Sequence, residues 1–102
     1  MIFNYTDLQL LLTIDAEYLS RLEGVYVTVE SQETKITIKA LPTEIDYTTG
    51  DITVELTQEQ TGKLSGKVLA QVNGFLNGKR WASEQDQMMF RRNLLDKVIK
   101  DE

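Results

Sequence analysis

The 102-residue chain contains no cysteine and no histidine, one proline and one tryptophan. Without cysteine there is no disulfide, no thiolate nucleophile and no sulfur ligand for zinc; without histidine there is no imidazole ligand and no triad or dyad built on that base. Much hydrolytic and metal-dependent chemistry goes with them. Compartment stays open, because a thiol-free chain suits oxidising and reducing media alike. No apolar run approaches the ~18 residues that span a bilayer, and Met1 to Asp7 has no basic start ahead of an apolar segment. Neither a membrane partner nor a signal peptide is expected, and the chain is expected to be made in the cytoplasm.

Positive charge is also scarce. Sixteen acidic against eleven basic residues give a formal charge of -5, so the chain gains nothing from the phosphate-neutralising term that drives nucleic-acid affinity, and no nucleic acid is expected as a partner. At 102 residues with 41% apolar composition, residues 1–102 are expected to form a single domain that buries roughly two-thirds of its unfolded surface.

What is abundant is alternation of period two, the mark of half-buried strands. Val25, Val27 and Val29 form one row, Ile36 and Ile38 a second, and Ile52, Val54 and Leu56 a third, each with polar residues between. Ser31-Gln32-Glu33-Thr34 reads as a hairpin loop between the first two, while Pro42 and Thr48-Thr49-Gly50-Asp51 punctuate the passage to the third. The leucine-rich run from Leu8 to Ile14 is expected to be a buried strand. A short helical turn is expected after Asp15 as N-cap, carrying Leu19 and Leu22 and closing on Gly24 as the residue past its C-terminus. A second follows Thr57, where Thr57-Gln58-Glu59-Gln60 fits a capping box and Gly62 ends the turn.

From Lys67 the alternation returns in Val68, Ala70 and Val72, and Asn77-Gly78 is the strongest hairpin signal in the chain. A strict two-residue turn would set that row opposite Gln87, Gln85 and Ser83. One extra residue brings it level with the parity of Met88 and Phe90, so a bulge or a longer loop is predicted. Beyond Met88 the pattern is mixed, and a strand to about Arg92 followed by a helical turn is expected; one amphipathic helix from about Glu84 is the alternative. The fold expected is all-β, an antiparallel immunoglobulin-like β-sandwich of about seven strands with two short helical turns.

Carboxylates are the one acid or base group in quantity. Glu30, Asp51 and Glu55 fall on the polar parity of predicted strands, and Asp15 and Glu17 suit a first helical turn, so no catalytic pair is expected. Asp46, Thr48, Thr49 and Asp51 around Gly50 have turn chemistry without the acidic density of a calcium loop, and no phosphate-cradling glycine spacing precedes a helix. No enzymatic activity, cofactor or metal is therefore expected. Lys79-Arg80 beside Trp81 could stack on a base or sugar, but tryptophan and arginine near a hairpin are also the residue types enriched in protein interfaces.

The corner Leu56-Thr57-Gln58-Glu59-Gln60-Thr61, the segment Gly66-Lys67-Val68-Leu69-Ala70-Gln71-Val72, the turn Asn77-Gly78-Lys79-Arg80-Trp81-Ala82-Ser83 and the tail Leu94-Leu95-Asp96-Lys97-Val98-Ile99 come in an order that resembles small structural proteins of phages and prophages of Gram-positive bacteria. The order is also similar to the N-terminal β-sandwich of upper-baseplate proteins. The resemblance implies a non-enzymatic virion component of the tail, baseplate, neck or capsid that binds other virion proteins and forms homo-oligomers. It implies Lys79, Arg80, Trp81, Gln58 and Gln60 as candidate partner-binding residues. A phage-encoded regulatory or inhibitory module and a carbohydrate-binding domain are the alternatives.

Overall fold

A computed structural model describes residues 2–32 and 34–99. The elements are β1 (Ile2–Phe3), β2 (Leu8–Thr13), α1 (Ala16–Arg21), β3 (Leu22–Ser31), β4 (Thr34–Lys39), β5 (Ile45–Asp46), β6 (Asp51–Leu56), α2 (Gln58–Gly62), β7 (Gly66–Leu76), β8 (Lys79–Ala82) and β9 (Asp86–Arg91). A 3-10 turn over Pro42–Glu44 precedes β5. The larger sheet runs β1-β9-β7-β3-β4 with β8 also on β7, and the smaller runs β2-β6-β5. The chain is thus mostly β, a curled sheet facing a small one.

Alternation places the core between the sheets. Val25, Val27, Val29, Val68, Ala70, Val72 and Phe90 point inward from the large sheet, and Leu10, Leu12, Ile52, Val54 and Leu56 meet them from the small one. Leu19 of α1 and Leu64 after α2 fill the remaining space, both fully buried. The run from Leu8 is a strand as expected, but its burial alternates: Leu10 and Leu12 are inside while Leu11 is exposed. It is an edge strand of the small sheet, with one wet face, so the leucine content overstated its burial.

Val29 pairs with Ile36 and Val27 with Ile38 in the β3–β4 hairpin, whose turn is tighter than four residues because Ser31 already pairs with Thr34. Gln32 has φ 49°, and Glu33 lies outside the described residues. Both capping signals are realised. The Asp15 carboxylate accepts the Glu17 N–H at 2.9 Å, and the Thr57 hydroxyl accepts the Gln60 N–H while Gln60 Oε1 accepts the Thr57 N–H. Gly24, however, does not close α1. The helix stops at Arg21, Leu22 is already extended, and Gly24, at φ 70°, is an extra residue in β3 where the pairing with β7 slips between Glu23 and Val25. A bulge of this kind needs a left-handed residue, which is the same demand that a helix end makes, so composition alone cannot tell the two apart.

The β7–β8 turn is a strict two-residue turn, Asn77 and Gly78 both having positive φ, with Leu76 opposite Lys79 and Asn73 opposite Ala82. Farther along, Ala70 faces Asp86 and Val68 faces Met88, one residue out of step with the first register. The expected extra residue is therefore present, and it lies at 83–85, between β8 and β9, rather than in the turn.

The strand expected to about Arg92 is β9, ending at Arg91, but the helical turn expected after it and the alternative helix from Glu84 are both absent from the described residues, where 92–99 follow an irregular path. Pairing with β7 buries Phe90, which a helix from Glu84 would forfeit. Beyond Arg91 the large apolar side chains of the described residues stay 46–89% exposed, and so short a segment is a poor helix in water.

Candidate surface between the sheet edges

The five residues expected to meet a partner fall into two groups at opposite ends of β7. Lys79 and Arg80 are exposed on β8 and Trp81 is half-buried. Gln58 and Gln60 lie on α2, at the other end of β7, with about 30 Å of strand between at ~3.3 Å per residue. Both glutamines are engaged within the chain. Gln60 completes the cap of α2, and the Gln58 amide binds the tail, its Nε2 donating to the Ile99 carbonyl at 2.8 Å and its Oε1 accepting the Ile99 N–H at 2.9 Å.

Trp81 stacks on Tyr18 of α1, ring centroids 5.9 Å apart and planes inclined by 27°, and the Arg21 guanidinium sits 5.7 Å from the Tyr18 centroid. Beside this pair a cleft of about 410 Å³ opens between the edge strand β2 and the β8–β9 break. Leu12 and Val72 supply its apolar lining, Thr13, Ile14 and Ser83 its sides, and Asp15, Glu84 and Asp86 its charge. The break is what keeps it open. Ser83 Oγ accepts the Val72 N–H at 3.0 Å, the Ser83 N–H donates to the Val72 carbonyl at 2.9 Å, and Gln71 Nε2 donates to the Ser83 carbonyl at 2.8 Å. The bulged chain is thereby pinned to β7 while Glu84 projects its carboxylate outward.

Lysine and arginine do not line this cleft. Among the described residues one ion pair forms, Lys35 with Glu30 at 3.3 Å on the β3–β4 hairpin. The cleft is thus an aromatic platform whose lining carries three carboxylates and no cation, with Arg21 beside it on Tyr18. It suits a cationic or aliphatic group laid against a ring, because a guanidinium or ammonium over such a face gains about 0.5–2 kcal/mol.

The chain matches no family model, no curated protein and no solved structure.

The loop weighed for calcium serves as turn chemistry. Asp46 Oδ1 accepts the Thr48 and Thr49 N–H groups, and Asp51 Oδ1 accepts the Thr13 hydroxyl at 2.7 Å. Among the described residues there is no group of three acidic, histidine or cysteine side chains that could hold a metal, and no helix long and apolar enough to cross a membrane. Sequence reasoning reached Trp81 through its residue type. It missed Tyr18, which carries no periodic signal on its short helix, and it missed Glu84 and Asp86 as site residues, although the parity mismatch between Val72 and Met88 had marked a break there.

The second exposed feature is the tail. Leu94, Leu95, Val98 and Ile99 are all exposed, Leu94 to 89%. Arg91, Arg92 and Lys97 accompany them with Asp96, so the segment is apolar and basic on an otherwise acidic chain. It is tied down at two places, by the Asn93 N–H on Asn4 Oδ1 at 2.8 Å and by Gln58 on Ile99.

Proposed function

We propose that this chain is a non-enzymatic structural component of a phage particle, acting through contacts with other virion proteins and with copies of itself, made in the host cytoplasm and resident in the virion. The observation that carries the protein-binding part is the exposed apolar tail. Four large apolar side chains within six residues are a poor solvent-facing surface and a good contact surface, as contiguous apolar patches on small domains mark interaction sites. The virion part is supported by the order of the quoted motifs, which correspond to α2 with its cap, β7, the β7–β8 turn with the following break, and the tail. The finer kinship, an immunoglobulin-like sandwich of about seven strands, draws support from the two facing sheets.

Mass spectrometry of purified particles tests the reading. Many copies per particle are expected, and presence in the infected cytosol with absence from particles would sink it. A second reading, a carbohydrate-binding domain, is favoured by the Trp81–Tyr18 platform. Glycan binding that is lost in a folded Trp81→Ala protein would establish it, and no binding to host-wall glycans would remove it.

A further inference from the structure

We propose that the cleft between β2 and the β8–β9 break receives the basic, apolar tail of a second copy of this chain, so that residues 92–99 of one protomer dock beside Trp81 and Tyr18 of another. This deepens the self-assembly part of the proposed function and rests on that part alone. The match is chemical. The cleft offers aromatic faces with the carboxylates of Asp15, Glu84 and Asp86 and no cationic lining residue, and the tail offers Arg92 and Lys97 against the single acid Asp96, a net +1, among Leu94, Leu95, Val98 and Ile99, all exposed.

Geometry favours a second copy. The cleft lies at the Thr13 end of β2, whereas the tail is held on α2, which follows the Leu56 partner of Leu8 at the other end of the same strand. Two copies packed side by side in opposite directions would bring each tail to the other's cleft, the self-complementary arrangement of a two-fold dimer. Another groove, lined by Leu11, Tyr47, Glu44, Asp46 and Asp51, is also acidic. Its carboxylates are already used: Glu44 accepts the Leu41 N–H, Asp46 two turn amides and Asp51 the Thr13 hydroxyl. In the proposed cleft the Asp15 carboxylate accepts the Glu17 N–H, while the carboxylates of Glu84 and Asp86 accept no hydrogen bond among the described residues, which leaves those two available.

The test is sedimentation equilibrium of the full chain across the micromolar range, with charge swaps. The wild type is expected to self-associate above the 11.7 kDa monomer mass and to weaken as salt rises. Reversing the cleft (Glu84→Lys with Asp86→Lys) or the tail (Arg92→Glu with Lys97→Glu) should weaken association about tenfold or more, since each exposed pair is worth up to ~1 kcal/mol and reversal replaces attraction by repulsion. Mixing the two reversed proteins should restore it, because each tail then finds a cleft of opposite charge. Glu55→Lys, a single reversal of the same kind on the outer face of the small sheet, should leave association within about twofold. A wild type that stays monomeric throughout, reversals without effect, or a mixture that does not recover would each overturn the contact. So would a monomer whose Trp81 fluorescence responds to an unrelated basic peptide, which would give the cleft to another partner. Absence from particles would remove the virion reading and leave this contact standing, so the two fail separately.

Discussion

The hydroxyl of the fully buried Thr61 accepts the Thr6 N–H at 3.0 Å and donates to the Thr6 carbonyl at 2.7 Å, 55 residues away in the chain. One side chain therefore satisfies both backbone groups of a residue in the β1–β2 loop and fastens that loop to α2. Thr61→Val keeps the shape and removes both bonds, leaving a partly buried N–H and C=O without their partner. A loss of about 2–3 kcal/mol is expected, against about 1 kcal/mol for Thr61→Ser, which keeps the hydroxyl and loses a methyl group. Urea midpoints of the two variants check this, and equal losses would show that packing, not the hydroxyl, matters at this position.

Gly50 has φ 85°, and a Cβ there would run into the carbonyl oxygen of Ile14. That carbonyl belongs to a residue whose own N–H donates to the Gly50 oxygen at 2.9 Å, so the two backbones are already in contact. Gly50→Ala is expected to cost well over ~2 kcal/mol, combining left-handed strain with backbone displacement. Gly66→Ala, at φ 67° with open space around the added carbon, carries the strain alone and should cost about 1–2 kcal/mol. Thermal unfolding of both proteins separates steric contact from conformational preference, and similar midpoints would count against the contact.

These positions show where local pattern suffices and where it fails. Thr57 to Gln60 and Asn77-Gly78 were legible because a cap and a two-residue turn are decided within four residues. The rows of Val25, Ile52 and Val68 were legible because period two survives any arrangement of strands. The pairing partners were not: β6 leaves the β3–β4 hairpin to join β2 in the other sheet, and a wet strand face carries no mark of which sheet it belongs to. Gly24 satisfied a bulge where a helix end was expected, since both need the same backbone. The tail misled because Leu95, Val98 and Ile99 have helical spacing, while among the described residues each stays about half exposed and gains too little packing to hold a helix. The cleft was the least legible feature, assembled from α1, β2 and the β8–β9 break, which only the tertiary fold brings together.

The one-residue break at 83–85 keeps Met88 and Phe90 on the inner parity. Deleting Gln85 would remove the extra residue and let the Asn77-Gly78 register run on along β7, which still sets Met88 opposite Val68 and Phe90, now 3% exposed, opposite Gly66. The inner face keeps its side chains, so the change in stability is expected to stay well below the ~2–3 kcal/mol that exposing Phe90 would cost. Hydrogen exchange is expected to show protection in β9 and the first half of β7 retained in this variant. Protection lost from β9 would mean that the bulge itself, and not the parity of Met88 and Phe90, holds that strand on β7.

Trp81 joins the stability of the fold to the proposed docking surface, and the two can be separated through Tyr18. The stack between them is worth about 0.5–1.5 kcal/mol beyond area burial, so Tyr18→Leu, which keeps an apolar side chain on α1, should lower stability by about that amount. Trp81→Ala removes the stack and a half-buried indole that packs on the core, and should cost about 2–3 kcal/mol, less than the ~3–5 kcal/mol of a fully buried tryptophan. Because Trp81 is the one tryptophan in the chain, the emission of the Tyr18→Leu protein reports the change around the indole directly. A red shift without loss of cooperative unfolding is expected, as the ring loses its cover while the sandwich persists. An unshifted spectrum would mean that α1 does not shield Trp81 in solution.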